Sequence, residues 1–403
     1  MATSQEQQSL TPRQLTIQLL LFLMVRTTFN TAYRMIYPFQ QDIAGGVGIS
    51  LQTLQQAITV RSSLGILSPI FGSIGDFRGR KFAMVAGMAL FAISVLLVVL
   101  SPTFPVLLIS FLLTSAAKFT FDPALYAYLS DRISYEWRGL AIGVIEFSWS
   151  GTFLLGVPFA SFLIVRSGWV SPYMVLTIIA VASVVLLWNL LPPDQVRAVA
   201  NRVSIRQGFS TIIRSRSGVA ALIVAAIIML SSELVNINFS AWLRQTFGWE
   251  TTDLAVTATV IGIAELVAEI AVAALIDRIG KRRAVAIGFV LYALSAFLIP
   301  VLGVTPNGAL VALFFFFFGF EFTLVCTLPL MTEIVPGARA TFMSTMASFH
   351  AIGRVIGALL GQNLFTSSIV TVAVGAGVLN IVALVLLLML VREESAPLPH
   401  STD

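Results

Sequence analysis

Polar residues punctuate this 403-residue chain at short intervals, and between them lie apolar runs of roughly uniform length. A hydrocarbon core of about 30 Å is crossed by roughly 20 helical residues. Twelve runs reach that length: Leu15–Pro38, Ser50–Gly75, Phe82–Leu100, Phe104–Ser130, Gly139–Val165, Pro172–Leu191, Gly218–Phe247, Asp253–Ile276, Ala284–Gly303, Gly308–Met331, Thr341–Phe365 and Ser368–Leu390. The pattern predicts an all-α membrane protein of twelve transmembrane helices in two pseudo-symmetric six-helix bundles, residues 1–191 and 218–391. A polar linker, 192–217, is too short for a soluble domain, and a tail, 392–403, follows the last run.

Composition agrees with that reading. With 57% apolar residues, 11% charged residues and a mean hydropathy of +0.93, too little polar surface remains to coat a soluble globule. The cations then report orientation, because short Lys/Arg-rich loops stay on the cytoplasmic side. With both termini inside, seventeen of the 24 Lys and Arg fall in cytoplasmic segments and only Arg166 and Arg244 in outer loops. Topology thus accounts for the net charge of +5, and a nucleic-acid role loses its support. The N-terminal residues lack the basic region and cleavage site of a secretory signal, so the first helix is expected to persist. The lone Cys326 excludes an intramolecular disulfide and a thiolate metal cluster, and the chain carries only two histidines and no nucleophile or phosphate-loop motif. An enzyme, a cofactor and a bound metal are not expected.

The chain also repeats itself. Gly72 to Lys81, with Asp76, Gly79, Arg80 and Lys81, is echoed 201 residues later by Asp277, Arg278, Gly280, Lys281 and Arg282. Asp131 and Arg138 are answered by Glu333 and Arg339 at offsets of 202 and 201 residues. Duplication with charges kept at helix ends is typical of secondary transporters built from structural repeats. The doubled loop signature and the two six-helix halves resemble the major facilitator superfamily over nearly the whole chain. Phe77 departs from the signature where a basic residue usually follows the aspartate, and Ala273 replaces the first glycine of the second copy. The resemblance implies a gate network of Asp76, Arg80, Asp131 and Arg138 in the first half, with Asp277, Arg282, Glu333 and Arg339 as its counterpart. Independently of it, carboxylates at helix ends attract helix N-termini and arginines, so such clusters can latch one face shut. The glycines of the fifth run, Gly139, Gly143, Gly151 and Gly156 followed by Pro158, resemble a degraded antiporter element. Close helix packing is the simpler reading of them, as of Gly353, Gly357 and Gly361.

Ionisable groups within the runs are the sharper clue, since each costs a few kcal/mol at mid-bilayer unless it faces protein or a wet cavity. Arg26, Arg61 and Lys118 supply cations in the first half; Glu233, Glu265, Glu321 and Arg354 lie mid-run in the second, with Asp122, Glu146, Glu269 and His350 off centre. At 100° per residue Arg26, Asn30, Tyr33 and Tyr37 share one narrow arc and are expected to line a cavity. Lys118 and Asp122, spaced i, i+4, are placed to neutralise each other. Glu265 and Glu269 have the same spacing with like charges, so Arg61 or Arg354 is needed if both are to ionise; otherwise burial and repulsion favour the protonated carboxyl. Glu265 is the favoured proton carrier, with Glu233, Glu321, Glu269 and His350 as further candidates.

Together these features predict a proton-coupled secondary transporter working by alternating access in a bacterial-type cell membrane, as a monomer. Resemblance to drug/proton exporters puts antiport first, and the cationic half-cavity suggests an amphipathic anionic or zwitterionic small-molecule cargo. Arg26, Asn30, Tyr33, Tyr37, Arg61, Lys118, Asp122, Glu321 and Arg354 are the expected cargo-binding residues. The alternatives are an anion importer or exchanger with an arginine clamp, a lipid flippase or scramblase, and a non-transporting sensor.

Overall fold

The computed structural model describes residues 12–133, 135–193, 205–335, 338–366 and 368–392. Among them the only regular structure is helical: α1 (Pro12–Arg34), α2 (Gln40–Val47), α3 (Leu51–Ser63), α4 (Ser68–Arg78), α5 (Arg80–Leu100), α6 (Phe104–Arg132), α7 (Tyr135–Gly151), α8 (Val157–Ser167), α9 (Ser171–Leu190), α10 (Ile205–Arg214), α11 (Arg216–Asn236), α12 (Phe239–Phe247), α13 (Thr251–Ile279), α14 (Lys281–Leu302), α15 (Pro306–Ile334), α16 (Arg339–Phe365) and α17 (Ile369–Leu390). Twelve spans are long and apolar enough to cross a membrane, in the order the hydropathy pattern predicts.

Some spans are built from more than one helix. A 3-10 turn, Leu64–Leu67, separates α3 from α4, and a π turn, Thr152–Gly156, separates α7 from α8. Proline follows each turn within two residues, Pro69 and Pro158, where its missing N–H and ring disfavour a regular helical ladder. Side chains cap several starts: Ser50 accepts from the Thr53 N–H, Ser215 from Gly218 and Thr305 from Gly308. The two loop signatures share one backbone device. Gly79 and Gly280 have φ of 98° and 87°, a region that disfavours any side chain, and each lets the chain leave one span and enter the next at once. That requirement explains the glycine kept in both copies.

The helices form two compact units. The first falls within Met1–Arg197 and Phe239–Leu266, so it gathers α1 to α9 with α12 and the first part of α13. At its centre Phe29 of α1 packs against Phe91 of α5 and Phe121 of α6, with ring centroids 4.5 and 5.3 Å away. Gly262 of α13 seats against Phe153 and Leu154 of the π turn, and Gly156 against Thr31 of α1. Gly143 and Gly151 face open space, and Gly139 lies outside the described side chains. The fifth-span glycines therefore serve close packing at Gly156, and not as one continuous stripe.

The second unit holds Ala198–Asn238 and Val267–Asp403. Here the stripe of α16 works as packing chemistry requires: a Cβ on Gly353 would lie 2.1 Å from the Ala226 carbonyl oxygen of α11, and one on Gly357 2.6 Å from that of Leu230. Gly353→Ala is expected to force α16 off α11 and to destabilise the protein by about 1–3 kcal/mol. A thermal melt in detergent checks this; an unchanged Tm would show that the interface yields freely. The aromatic run Phe314–Phe318 wraps its helix as expected: Phe316 and Phe317 are buried, and Phe315 is exposed.

Candidate functional site

Buried charge inside the first unit is concentrated on one face of α1 and what that face meets. Arg26, 4% exposed, places Nε 3.4 Å from Asp122 Oδ1 and Nη1 3.1 Å from Glu146 Oε1, and Nη1 also donates to the Ile145 carbonyl. Lys118 sits 2.8 Å from Asp122 Oδ2 and donates to Asn30 Oδ1 at 2.7 Å. Asn30 donates in turn to Ser148, and the Tyr126 hydroxyl donates to Glu146. The i, i+4 pair on α6 thus forms as expected, inside a larger group of two cations and two carboxylates whose charges cancel. Arg26, one of the expected cargo-binding residues, has its guanidinium engaged by the two carboxylates Asp122 of α6 and Glu146 of α7.

Arg61 is in the opposite position. It is 1% exposed, yet among the described residues no carboxylate lies within ion-pair distance. Its Nη1 donates to the Tyr33 carbonyl at 3.0 Å and Nη2 to the Tyr37 hydroxyl at 3.3 Å, while Nε has no hydrogen-bond partner among the described residues. The guanidinium lies 3.8 Å from the centroid of the Tyr33 ring and 5.6 Å from those of Tyr37 and Phe111. Aromatic faces supply part of the stabilisation a counter-ion would give. Of the predicted arc, Tyr33 and Tyr37 therefore serve Arg61, whereas Arg26 and Asn30 serve the neutral cluster.

The residue that sequence reasoning passed over is Arg34. It forms a bidentate pair with Glu265 of α13, Nη1 to Oε2 at 2.8 Å and Nη2 to Oε1 at 2.5 Å, and Nη1 also donates to the Trp149 carbonyl at 2.8 Å. Trp149 and Phe153 flank the guanidinium at 4.1 and 3.6 Å, so the π turn and the residues before it shape one wall of the pair. Glu265 is fully buried and Arg34 is 5% exposed. A signal existed: Arg34 follows Asn30 by four residues and Arg26 by eight on the same helical face. Arg61 and Arg354, the expected partners of the α13 carboxylates, are engaged with the tyrosines and with Glu233. A separate apolar cavity of about 480 Å³ lies among α1, α8 and α9, bordered by Met24, Thr27, Thr31, Gly156 and Phe159.

The first unit carries a further tie missed in sequence. Asp42 of α2 pairs with Arg244 of α12 and accepts from Thr251 Oγ1 at 2.7 Å. Ser161 of α8 donates to the Thr251 carbonyl. These bonds, with Arg34–Glu265, explain why residues 239–266 pack with helices of the first half of the chain.

In the second unit the fully buried Glu233 lies 3.5 Å from Arg354 Nη1. His350, one turn before Arg354, has a buried Nε2 with no hydrogen-bond partner among the described residues. Glu321 is 4% exposed on α15, and Glu269 is half-buried on α13. Among the described residues no three His, Cys, Asp or Glu side chains gather within metal-ligating reach.

Some of the charged contacts expected between the loop-signature residues are present. Arg80 Nε is 3.7 Å from Asp131 Oδ2, while the side chains of Asp76 and Arg138 lie outside the described residues. In the second copy Glu333 pairs with Lys281 and not with Arg282. Arg282 instead donates to the Leu388 and Leu387 carbonyls at the end of α17, at 2.8 and 3.4 Å, and Arg339 donates to the Thr332 carbonyl at 2.7 Å. Adjacent positions of a helix point about 100° apart, so one residue of shift sends the arginine to a different neighbour. Asp277 is exposed.

The chain matches the family model of the Major Facilitator Superfamily over residues 19–322 and 221–403. It is 23% identical over 326 residues to Multidrug resistance protein 2 of Bacillus subtilis (strain 168), covering 79% of this chain and 81% of that protein. To the uncharacterized MFS-type transporter YwfA of the same organism it is 28% identical over 129 residues, 32% of this chain and 31% of that protein, so this match spans about a third of the relative's length. The crystal structure of the human organic anion transporter MFSD10 (TETRAN) superposes with a TM-score of 0.72 at 19% identity, covering 94% of this chain and 100% of that one, a likeness of fold.

Proposed function

This chain belongs to the Major Facilitator Superfamily and is a multi-pass membrane transporter, and we propose that it exports an amphipathic small molecule in exchange for protons by alternating access. The observation that carries the reading is the Arg34–Glu265 pair, a fully buried carboxylate inside a span with its counter-ion on another helix. Ionised, Glu265 neutralises Arg34 and locks α13 to α1. Protonated, it gives up the charge that holds the clamp, so proton binding and helix position become linked. Buried ionisable groups in transporter spans mark coupling and cargo paths. The apolar cavity among α1, α8 and α9 suits a hydrophobic cargo body, and relatives named as multidrug resistance proteins favour drug-like cargo moving outward. The Lys/Arg distribution favours a reading with both termini, and the Arg80–Asp131 contact, on the cytoplasmic side.

The charge of the cargo decides the sign of coupling. A cationic or zwitterionic cargo competes with the proton for Glu265, which gives exchange. An anion taken up by Arg34 displaces the carboxylate and favours its protonation, so anion and proton travel together. Arg61, a buried cation with no carboxylate at ion-pair distance among the described residues, favours this second reading, anion uptake with an arginine clamp. Proteoliposomes with a pH-sensitive dye inside separate the two when challenged with amphipathic cations, zwitterions and anions. Proton exit as cargo enters supports exchange, and proton entry with cargo supports the anion reading. Cargo flux without proton movement removes coupling altogether.

A further inference from the structure

A cavity of about 730 Å³ opens in the second unit where α13 passes into α14, lined by none of the buried ion-pair residues. Lys281, Arg282, Arg283 and Arg392 line it together with Asp277 and Glu333. Four cations against two acids leave a surplus of two positive charges. The surplus is built in. Lys281 is neutralised by Glu333, but Arg282 is fixed by neutral carbonyls at the end of α17 and keeps its charge uncompensated. The backbone of Arg392 is pinned from both sides by Ser217, whose hydroxyl donates to its carbonyl and accepts from its N–H, each at 2.8 Å. That anchor presents the side chain to the cavity although Arg392 follows the last helix. The same wall contains the start of α14, where Gly280 turns the chain and no side chain accepts from the first-turn N–H groups, a second source of positive potential.

We infer that this cavity binds the phosphodiester headgroup of an anionic phospholipid. Its chemistry is that of a phosphate site: guanidinium groups, an ammonium group and helix N-terminal amides converge on a space of the size that small ligands fill. Its place selects a lipid over a soluble phosphate. The lining comes from the ends of membrane spans: Ile279 at the end of α13, Lys281 at the start of α14, Glu333 near the end of α15 and Arg392 just past α17. Basic pockets at this level of a membrane protein meet headgroups. Immediately toward the spans, Leu275, Leu388, Met389 and Leu390 are 38%, 53%, 65% and 46% exposed, an apolar flank on which acyl chains can lie while the phosphate enters the cavity. Neither Arg283 nor Arg392 makes a side-chain hydrogen bond or ion pair among the described residues, so both charges are available to the ligand.

The test uses the full chain in detergent, with lipid retention followed by native mass spectrometry and by thermal shift. Phosphatidylglycerol should be retained at least about tenfold better than phosphatidylcholine, the scale expected from two uncompensated cations near a membrane surface. The preference should weaken as salt rises. Arg283→Gln with Arg392→Gln should abolish it while the lipid-free Tm stays at the wild-type value, because neither side chain holds the fold. Asp277→Asn should strengthen it. Equal retention of the two lipids, or an undiminished preference in the double variant, would overturn the assignment. Inorganic phosphate that displaces the lipid at millimolar concentration would transfer the cavity to a soluble anion and overturn the lipid reading specifically.

Discussion

Glu265→Gln is expected to abolish cargo accumulation driven by a pH gradient while leaving cargo exchange across the membrane intact. The amide keeps the size of the carboxyl group and one oxygen acceptor for Arg34, but it cannot take up or release a proton. A permanently neutral side chain therefore mimics the protonated state. Stability should fall as well, by up to about 3–5 kcal/mol, because Arg34 is left buried between Trp149 and Phe153 without a counter-charge. Loss of stability alone would also follow if the pair merely tied helices together, so a second variant is needed. Arg34→Gln with Glu265→Gln removes both charges and should recover most of the stability. If Glu265 carries the proton, the double variant remains uncoupled after its Tm recovers. Wild-type proton movement in either variant would take Glu265 out of the mechanism and direct attention to Glu233 and its partner Arg354.

How far such a site is legible in sequence depends on which physical quantity carries it. Span number and order follow from local hydropathy, which needs no partner, and the twelve spans appear where the apolar runs put them. The turns at Gly79 and Gly280 were equally legible, since a positive φ is a property of one residue and its repeat at a fixed offset exposes it. Pairing is different. Arg26 meets Glu146 across 120 residues and Arg34 meets Glu265 across 231, and nothing local distinguishes these partners from other buried charges. Position hides the second pair further, because Arg34 is the last residue of α1, where the chain bends into a turn, and a cation at a helix C-terminus is ordinary. Lys281 and Arg282 show the finest limit, because the repeat aligned the right segment and the helix then decided which of two neighbouring cations met Glu333.

Arg61→Gln is expected to weaken binding of a cargo that carries an anionic group by roughly 10- to 150-fold, the equivalent of about 1.5–3 kcal/mol for a hydrogen bond to a charged group. The same change should leave the Tm unchanged or raise it. Both expectations rest on one feature: Arg61 is buried with aromatic faces and two neutral acceptors around it but, among the described residues, no carboxylate. An arginine in mid-span costs about 2.5–3.5 kcal/mol unless compensated. Tyr33 and Tyr37 offset a part of that, and an incoming anion would offset the remainder, which makes the uncompensated charge a source of affinity. Arg61→Lys separates charge from shape, since an ammonium keeps the charge but loses the flat stacking on Tyr33 and the forked donors. It should retain an intermediate affinity. If Arg61 only ties α3 to α1, the outcome reverses: the Gln variant melts earlier through loss of the bonds to Tyr33 and Tyr37, and cargo affinity stays at the wild-type value. Paired melting and binding curves on the purified variants decide between the two, because the anion-receptor role predicts a Tm that holds or rises with affinity lost, and the tie-rod role a Tm that falls with affinity kept.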